Sequence, residues 1–202
     1  MGKSYHQYCP VAHALDLVGE RWSLLVVREL IHSPLRYSDL IDRLGCPTNV
    51  LATRLRQLEQ GGVVAKRKLP PPAASTIYEL TEYGAALRPV LHALGHWGAR
   101  SLGPPSAGMP TFPGWLATAL ECALPPRHDG RCVEFRVGDE SVWVAEGDVR
   151  TDAPGEVDAV VEADPPGLYY LLVEGDIDAV RVDGDRSAVE RIVERDTDAA
   201  RV

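Results

Sequence analysis

The four cysteines of this chain, Cys9, Cys46, Cys122 and Cys132, form no C-x-x-C pair and no zinc-ligand spacing. Neither a disulfide framework nor a structural zinc site is indicated, and free thiols in a reduced compartment are the simplest reading. The chain also lacks any apolar run near the roughly 18 residues that a membrane span needs. Its N-terminal MGKSYHQYCP has no apolar core of the kind a signal peptide carries. A cytoplasmic location without membrane contact is therefore expected. There is no G-x-S-x-G elbow, no phosphate-cradling glycine loop and no Ser/His/Asp or Cys/His set, so the chain reads as a protein that is not an enzyme and needs no cofactor.

Lysine is scarce, and its placement is informative. All three lysines, Lys3, Lys66 and Lys68, fall in the first half of the 202 residues. The net charge of −8 divides into +4 over residues 1–102 and −12 over residues 103–202. A mildly basic module joined to an acidic one is the expectation, with the basic half suited to a phosphate backbone. Between them LGPPSAGMPTFPGW packs four prolines and three glycines, the composition of a linker. The expected domains are 1–102, a linker at 103–114, and 115–202.

In the first half, Val11 to Val18 reads as a helix opened by Pro10 and ended by Gly19. Arg21 to Ile31 is apolar around so much of its circumference that it is expected at the domain centre. Tyr37 to Leu44 and Asn49 to Gln60 follow, the latter with Leu51, Leu55 and Leu58 at i, i+4, i+7 before Gly61 and Gly62. VVAKRK and STIYELT, separated by LPPPAA, read as a β-hairpin with a proline-rich tip, and Thr81 caps a last helix that kinks or restarts near Pro89. Three helices, a further helix after a short turn, and a hairpin make the layout of a winged helix-turn-helix.

On the fourth helix, burying the leucines turns Asn49, Thr53 and Arg56 outward, with Arg54 at the flank. Arginine pairs with guanine, asparagine with adenine, and a small neighbour accommodates the thymine methyl, so this face suits the major groove of double-stranded DNA. The hairpin adds Lys66, Arg67 and Lys68 for phosphate contacts. Each of these residues also has a plainer reading, as a solvated helix face or a charged strand edge.

Three stretches, YCPVAHALDLVGERWSLLVVRELIHSPLRYSDL, NVLATRLRQLEQGGVV and IYELTEYGAALRPVL, resemble the HxlR family of winged-helix transcriptional regulators over residues 5 to 102. The resemblance implies a homodimer on a partly palindromic operator, with the first and last helices at the dimer seam. The recognition helix here begins PTN where a Ser-Pro-Lys-like start is common in that family, so no operator sequence carries over.

Cys9 stands next to a helix N-terminus, a setting that favours the reactive thiolate. The resemblance points to sensing as well, since several family members respond to reactive aldehydes, quinones or oxidants through a cysteine at this position. Packing at the dimer seam, and metal ligation with His6 and His13, remain alternatives. Cys46, in the turn before the recognition helix, reads as a packing residue or a second thiol. His92 and His96 form an i, i+4 pair with no completing carboxylate in sequence, and no metal is expected at either place.

The acidic half reads as a small α+β domain. WLATALECAL is a helix, CVEFRVG, SVWVAEGDV and VDAVVEAD are strands, Pro165 and Pro166 open GLYYLLVEG, and AVRVDG and RSAVERIVER supply a strand and a closing helix. The order, with its EADP and DGD motifs, resembles a sterol-carrier-protein-like domain. That resemblance implies a hydrophobic pocket, for which Trp115, Phe135, Trp143, Tyr169 and Leu172 are candidates, though each also suits a plain core. Two functions follow: a dimeric DNA-binding regulator switched by a hydrophobic small molecule in this half or by modification of Cys9, or a hydrophobic-ligand-binding protein that uses the winged helix mainly to dimerise.

Overall fold

Pro10 has no N–H to lose and a φ already suited to a helix. It opens α1, Pro10–Val18, which closes on Gly19 with the Gly19 N–H bonded to Leu15 O. The next helix, α2, Ser23–Leu30, starts later than the apolar pattern indicates, because Trp22 lies in the left-handed region at φ +79° and caps it. α3, Tyr37–Leu44, ends on Gly45, also left-handed, and α4, Thr48–Gln60, ends on Gly61. The hairpin strands are β2, Val64–Lys68, and β3, Thr76–Leu80; an extra two-residue strand, β1, Leu35–Arg36, pairs antiparallel with β3 to give the order β1-β3-β2. Thr81 then caps α5, Glu82–Ala85, its Oγ1 accepting from Gly84 N at 3.0 Å and donating to Gly62 O at 2.6 Å. After this turn the chain restarts as α6, Arg88–Ala99.

The structure is a computed structural model, and it describes residues 4–70, 75–99, 101–106, 111–124 and 130–194. Most of the expected proline-rich wing tip, and part of the expected linker, lie outside those residues. The chain divides into two compact units, Met1–Leu91 and His92–Val202. In this division α6 is shared between the two units. The physical reason is in the helix itself. Leu87 and Leu91 pack on the first core, whereas His92 Nε2 lies 3.2 Å from Glu121 Oε2 and His96 Nδ1 lies 3.2 Å from Cys122 O, both within the second unit.

The first unit folds around one core in which Val26, Val27, Leu40, Leu51 and Leu58 are wholly buried. Burying side chains of this size contributes about 1.5–3 kcal/mol each. No helix among the described residues is long and apolar enough to cross a membrane.

The second unit is α+β. Its elements are α7, Trp115–Ala123; β4, Cys132–Val137; β5, Glu140–Ala145; β6, Asp148–Arg150; β7, Ala159–Ala163; α8, Pro165–Tyr169, continuing as a wider π-helical turn over Tyr170–Glu174; β8, Arg181–Gly184; and α9, Arg186–Val193. The five strands lie in the order β6-β5-β4-β7-β8, with β4 and β7 parallel and the other pairs antiparallel. Strand alternation sends Val133, Phe135 and Val137 to one face, where they pack with Leu116 and Leu120 of α7, Leu168 of α8 and Val189 of α9.

Two glycines offer a test of packing. A Cβ on Gly84 would stand 2.0 Å from Val63 O, and one on Gly98 would meet nothing within 4 Å. Gly84→Ala is expected to lower stability by about 1–3 kcal/mol. Gly98→Ala, in open helix, should be neutral or raise it by up to about 1 kcal/mol. Thermal unfolding of the two variants checks this; equal melting temperatures would show that the Thr81 junction yields to admit the methyl group.

Candidate nucleic-acid interface

The chemistry of α4 follows from which side of it is apolar. Leu51, Leu55 and Leu58 are buried, which leaves Asn49, Thr53 and Arg56 exposed on the opposite side. Thr53 Oγ1 donates to Asn49 O at 2.8 Å, so its hydroxyl is turned back on the helix. The start of α4 has no acidic residue in its first turn and no side-chain cap, the electrostatic setting in which a helix N-terminus meets a phosphate. Tyr37 in α3 steadies that end, its hydroxyl donating to Thr48 O at 2.6 Å.

Arg54 departs from the expected role. Its side chain is only 17% exposed, and its guanidinium lies 3.2 Å from Glu20 in the turn between α1 and α2 while Nη1 donates to Gln57 Oε1. The arginine is held inward against the α1–α2 corner and is not presented with Asn49 and Arg56. Sequence alone could not show this, because a flanking arginine at this phase turns in or out according to what the neighbouring turn supplies.

The hairpin divides its three cations. Lys66 stands opposite Tyr78 with its ammonium 6.0 Å from the ring centroid, and alternation puts Lys68 on the same face. Arg67 goes to the other face, where its fork donates to both oxygens of Glu79 at 2.9 Å. That bidentate hydrogen bond holds the Glu79 carboxyl below the usual carboxylate range and pushes Arg67 further up, so both stay charged at neutral pH. Two of the three cations are thereby brought together; Arg67 is taken up by its own strand partner.

Cys46 is buried, and its thiol donates to Pro47 O at 3.6 Å. Burial pushes the thiol up, against a backbone hydrogen bond from Leu51 and the charges of Arg54 and Arg21. Its place is packing beneath the start of α4. Cys9 is half-buried and forms the N-cap of α1 in extended conformation. The N-terminal arm folds back over that helix, with Ser4 Oγ donating to Asp16 Oδ2 at 2.9 Å and Tyr5 N to Asp16 Oδ1 at 3.0 Å. His6 and His13 are both exposed, and no group of three His, Cys, Asp or Glu side chains able to hold a metal occurs among the described residues.

Two helices carry uncovered apolar stripes. On α1, Val11 and Leu15 are 67% and 44% exposed, next to Tyr8; on α6, Val90, Leu94 and Trp97 are 52%, 44% and 69% exposed at i, i+4, i+7. These large side chains are costly to leave in water, and such stripes mark protein contacts.

In the second unit the five candidate pocket residues do not converge. Phe135 is wholly buried, Leu172 nearly so, and Trp115 packs at the edge of the same core. Trp143 is paired with Glu134, and Phe135 with Val142, so Trp143 and Phe135 stand on opposite faces of the sheet and cannot line one pocket. Tyr169 is half-buried and meets Tyr170 edge-on at 5.6 Å between centroids. Elsewhere a cleft of ≈ 570 Å³ opens between the π-helical turn and α9, lined by Leu172, Val173, Ile177 and Val193 together with Glu174, Glu190 and Arg191. Of the five, Leu172 alone reaches it.

The HxlR-like helix-turn-helix family matches residues 17–105. An uncharacterized HTH-type transcriptional regulator of Synechocystis is 41% identical over 87 residues, covering 43% of this chain and 64% of that protein. The HTH-type transcriptional regulator YodB of Bacillus subtilis is 34% identical over 91 residues, covering 44% of this chain and 81% of that protein. The chain thus spans just under two thirds of the Synechocystis relative and about four fifths of YodB. Among solved structures, the reduced form of YodB from B. subtilis has 31% sequence identity and a TM-score of 0.43, covering 50% of this chain and 100% of that one.

The buried thiol generates a labelling prediction. A raised pKa leaves Cys46 protonated at neutral pH, and its thiolate appears only as the pH climbs above the ordinary thiol value. Iodoacetamide should therefore leave Cys46 unmodified in the folded protein at neutral pH and label it fully in denaturant, as read by peptide mass spectrometry. Ready labelling of the folded protein would show that the turn before α4 opens.

Proposed function

The chain belongs to the HxlR-like helix-turn-helix family of DNA-binding transcriptional regulators, and from that premise we propose that it acts as a homodimer that places α4 of each protomer in the major groove of a partly palindromic operator. The observation that carries the reading is the face of α4: Asn49, Thr53 and Arg56 point away from a core built on Leu51, Leu55 and Leu58. Asparagine and arginine read adenine and guanine edges, and Lys66 and Lys68 on one face of the hairpin meet the phosphates beside them. The apolar stripe on α1 supplies surface that a second copy would cover.

The same proposal gives the regulator two candidate switches. Cys9 caps α1 with its thiol half-buried at a helix N-terminus, where modification would disturb the stripe beside it. In this proposal the second unit, read as sterol-carrier-like, is the candidate seat of a hydrophobic small-molecule effector, in the cleft beside α9. Either signal must alter the spacing or tilt of the paired recognition helices, since half-sites lie ~34 Å apart and a small rotation spoils the fit.

Fluorescence anisotropy on duplexes tiling the region upstream of the protein's own gene, with unrelated duplex as competitor, tests the reading. Asn49→Ala and Arg56→Ala are each expected to cost about 1–3 kcal/mol of operator affinity and to relax specificity at one position. Lys66→Ala should weaken all duplexes alike and reduce the salt slope by about one. Operator affinity that survives loss of both Asn49 and Arg56 would remove α4 as the reading element. Cys9→Ser protein that still releases DNA on mild oxidation would remove the thiol switch.

A further inference from the structure

Arg54 sits in the middle of the recognition helix and yet is drawn away from the outward face. Its guanidinium is engaged at one end by Glu20, 3.2 Å away, and along the helix by Gln57, and its Nε is buried with no hydrogen-bond partner. Burying that N–H without a partner is costly, so the side chain is packed as well as paired. To reach a phosphate it would have to release Glu20 and Gln57 together. Glu20 follows Gly19, the residue that ends α1, and Leu17 near the same end packs on the core, so close to Gly61 just past α4 that a Cβ there would stand 3.1 Å from Leu17 Cδ2. Thus α4 meets the α1–α2 corner through an ion pair at mid-helix, and Leu17 closes on the turn that follows its C-terminal end.

Burial of three leucines fixes which side of α4 faces in, but leucine packing tolerates small rolls and slides of a helix. The hydrogen bond to Gln57 lies within α4 and orients the guanidinium, and the ion pair with Glu20 is then the link that ties this side of α4 to the α1–α2 corner. We propose that Arg54 is a positioning residue for operator recognition: clasped by Glu20 and Gln57, it sets the roll of α4 and hence the aim of Asn49 and Arg56, without touching DNA itself. The proposal rests on the reading of α4 as the recognition helix.

The alternative role, a phosphate contact, predicts the opposite sign for a change at Glu20. Removing an acid that competes for Arg54 would then free a cation and tighten binding to every duplex. Positioning instead predicts that Glu20→Ala weakens specific binding by about tenfold while the salt slope stays as in wild type, because no phosphate contact is lost. Arg54→Lys should weaken it similarly, since a lysine keeps the charge but not the fork. The charge exchange Glu20→Arg with Arg54→Glu should recover most of the loss by restoring the pair, a rescue that a phosphate contact forbids. Glu20 is 60% exposed, so Glu20→Ala should leave the melting temperature nearly unmoved, separating positioning from a general loss of fold.

The experiment is anisotropy on the wild-type operator and on unrelated duplex across a salt series, for the wild type, the two single variants and the exchanged pair, with melting temperatures alongside. Weakened specific binding at unchanged salt slope, rescued by the exchange, supports the proposal. Tighter binding in Glu20→Ala, or Arg54→Lys equal to wild type with no rescue in the exchanged pair, overturns it and makes Arg54 a phosphate contact. A wild type that distinguishes no duplex from any other removes the reading of α4 itself, and the proposal with it.

Discussion

The first unit depends on the burial of one side of α4. Leu51, Leu55 and Leu58 are at most 2% exposed and share a core with Val26 and Val27 of α2 and Leu40 of α3. Each residue of a helix turns it by about 100°. The outward residues Asn49, Thr53 and Arg56 repeat the same i, i+4, i+7 spacing two positions earlier, about 200° away, and so occupy the opposite face. The outward face is in this sense the phase complement of the core face. A slip of α4 by one residue would bury an arginine and expose a leucine, so the free energy that holds the core together also holds the outward face in phase.

Charge separates the two units by use as well as by sign. In the first, Lys66 and Lys68 share a strand face and Glu79 is spent on Arg67. In the second, a good part of the acidity is structural: Asp164, Asp176 and Asp185 each cap the start of a helical segment by accepting from a backbone N–H. Asp158 accepts from Cys132 N at 2.8 Å and also meets Arg131. The excess of acid in this half is thus tied partly to its many short helices, and its field repels a phosphate backbone without needing a dedicated acidic surface.

Long apolar-periodic segments were legible in the sequence, and short or strained ones were not. The four helices from Pro10 to Gln60, the hairpin, and the strand-to-helix junction at Thr81 all rest on periodicity, capping and turn residues, which are local signals. Strand β1 is two residues long and carries no period at all; it exists because β3 offers an open edge. Trp22 is left-handed although nothing in its own chemistry asks for that, so the start of α2 was displaced. At the site, the outward phase of Asn49, Thr53 and Arg56 could be read from the leucines. What could not be read was the partner of each cation, because Glu20 and Glu79 are distant in sequence from Arg54 and Arg67. Trp143 was misplaced for a related reason: parity puts it opposite Phe135 once the register of β4 and β5 is known, and aromatic character alone says nothing about parity.

The corner between α1 and α2 is where these features meet. Cys9 opens α1, the N-terminal arm is tied to Asp16 within it, Leu17 packs toward Gly61 at the far end of α4, and Glu20 follows its C-terminus with Arg54 as partner. A helix of nine residues moves nearly as a rigid body, about 13 Å long. Displacement at its N-terminus is therefore passed to its C-terminus and is not absorbed on the way. The clasp on α4 contains one exposed partner, Glu20, so its contribution to stability is small beside that of the leucine core. A strong core thus fixes which side of α4 faces inward, and the weaker Glu20–Arg54 pair ties its mid-point to the α1–α2 corner.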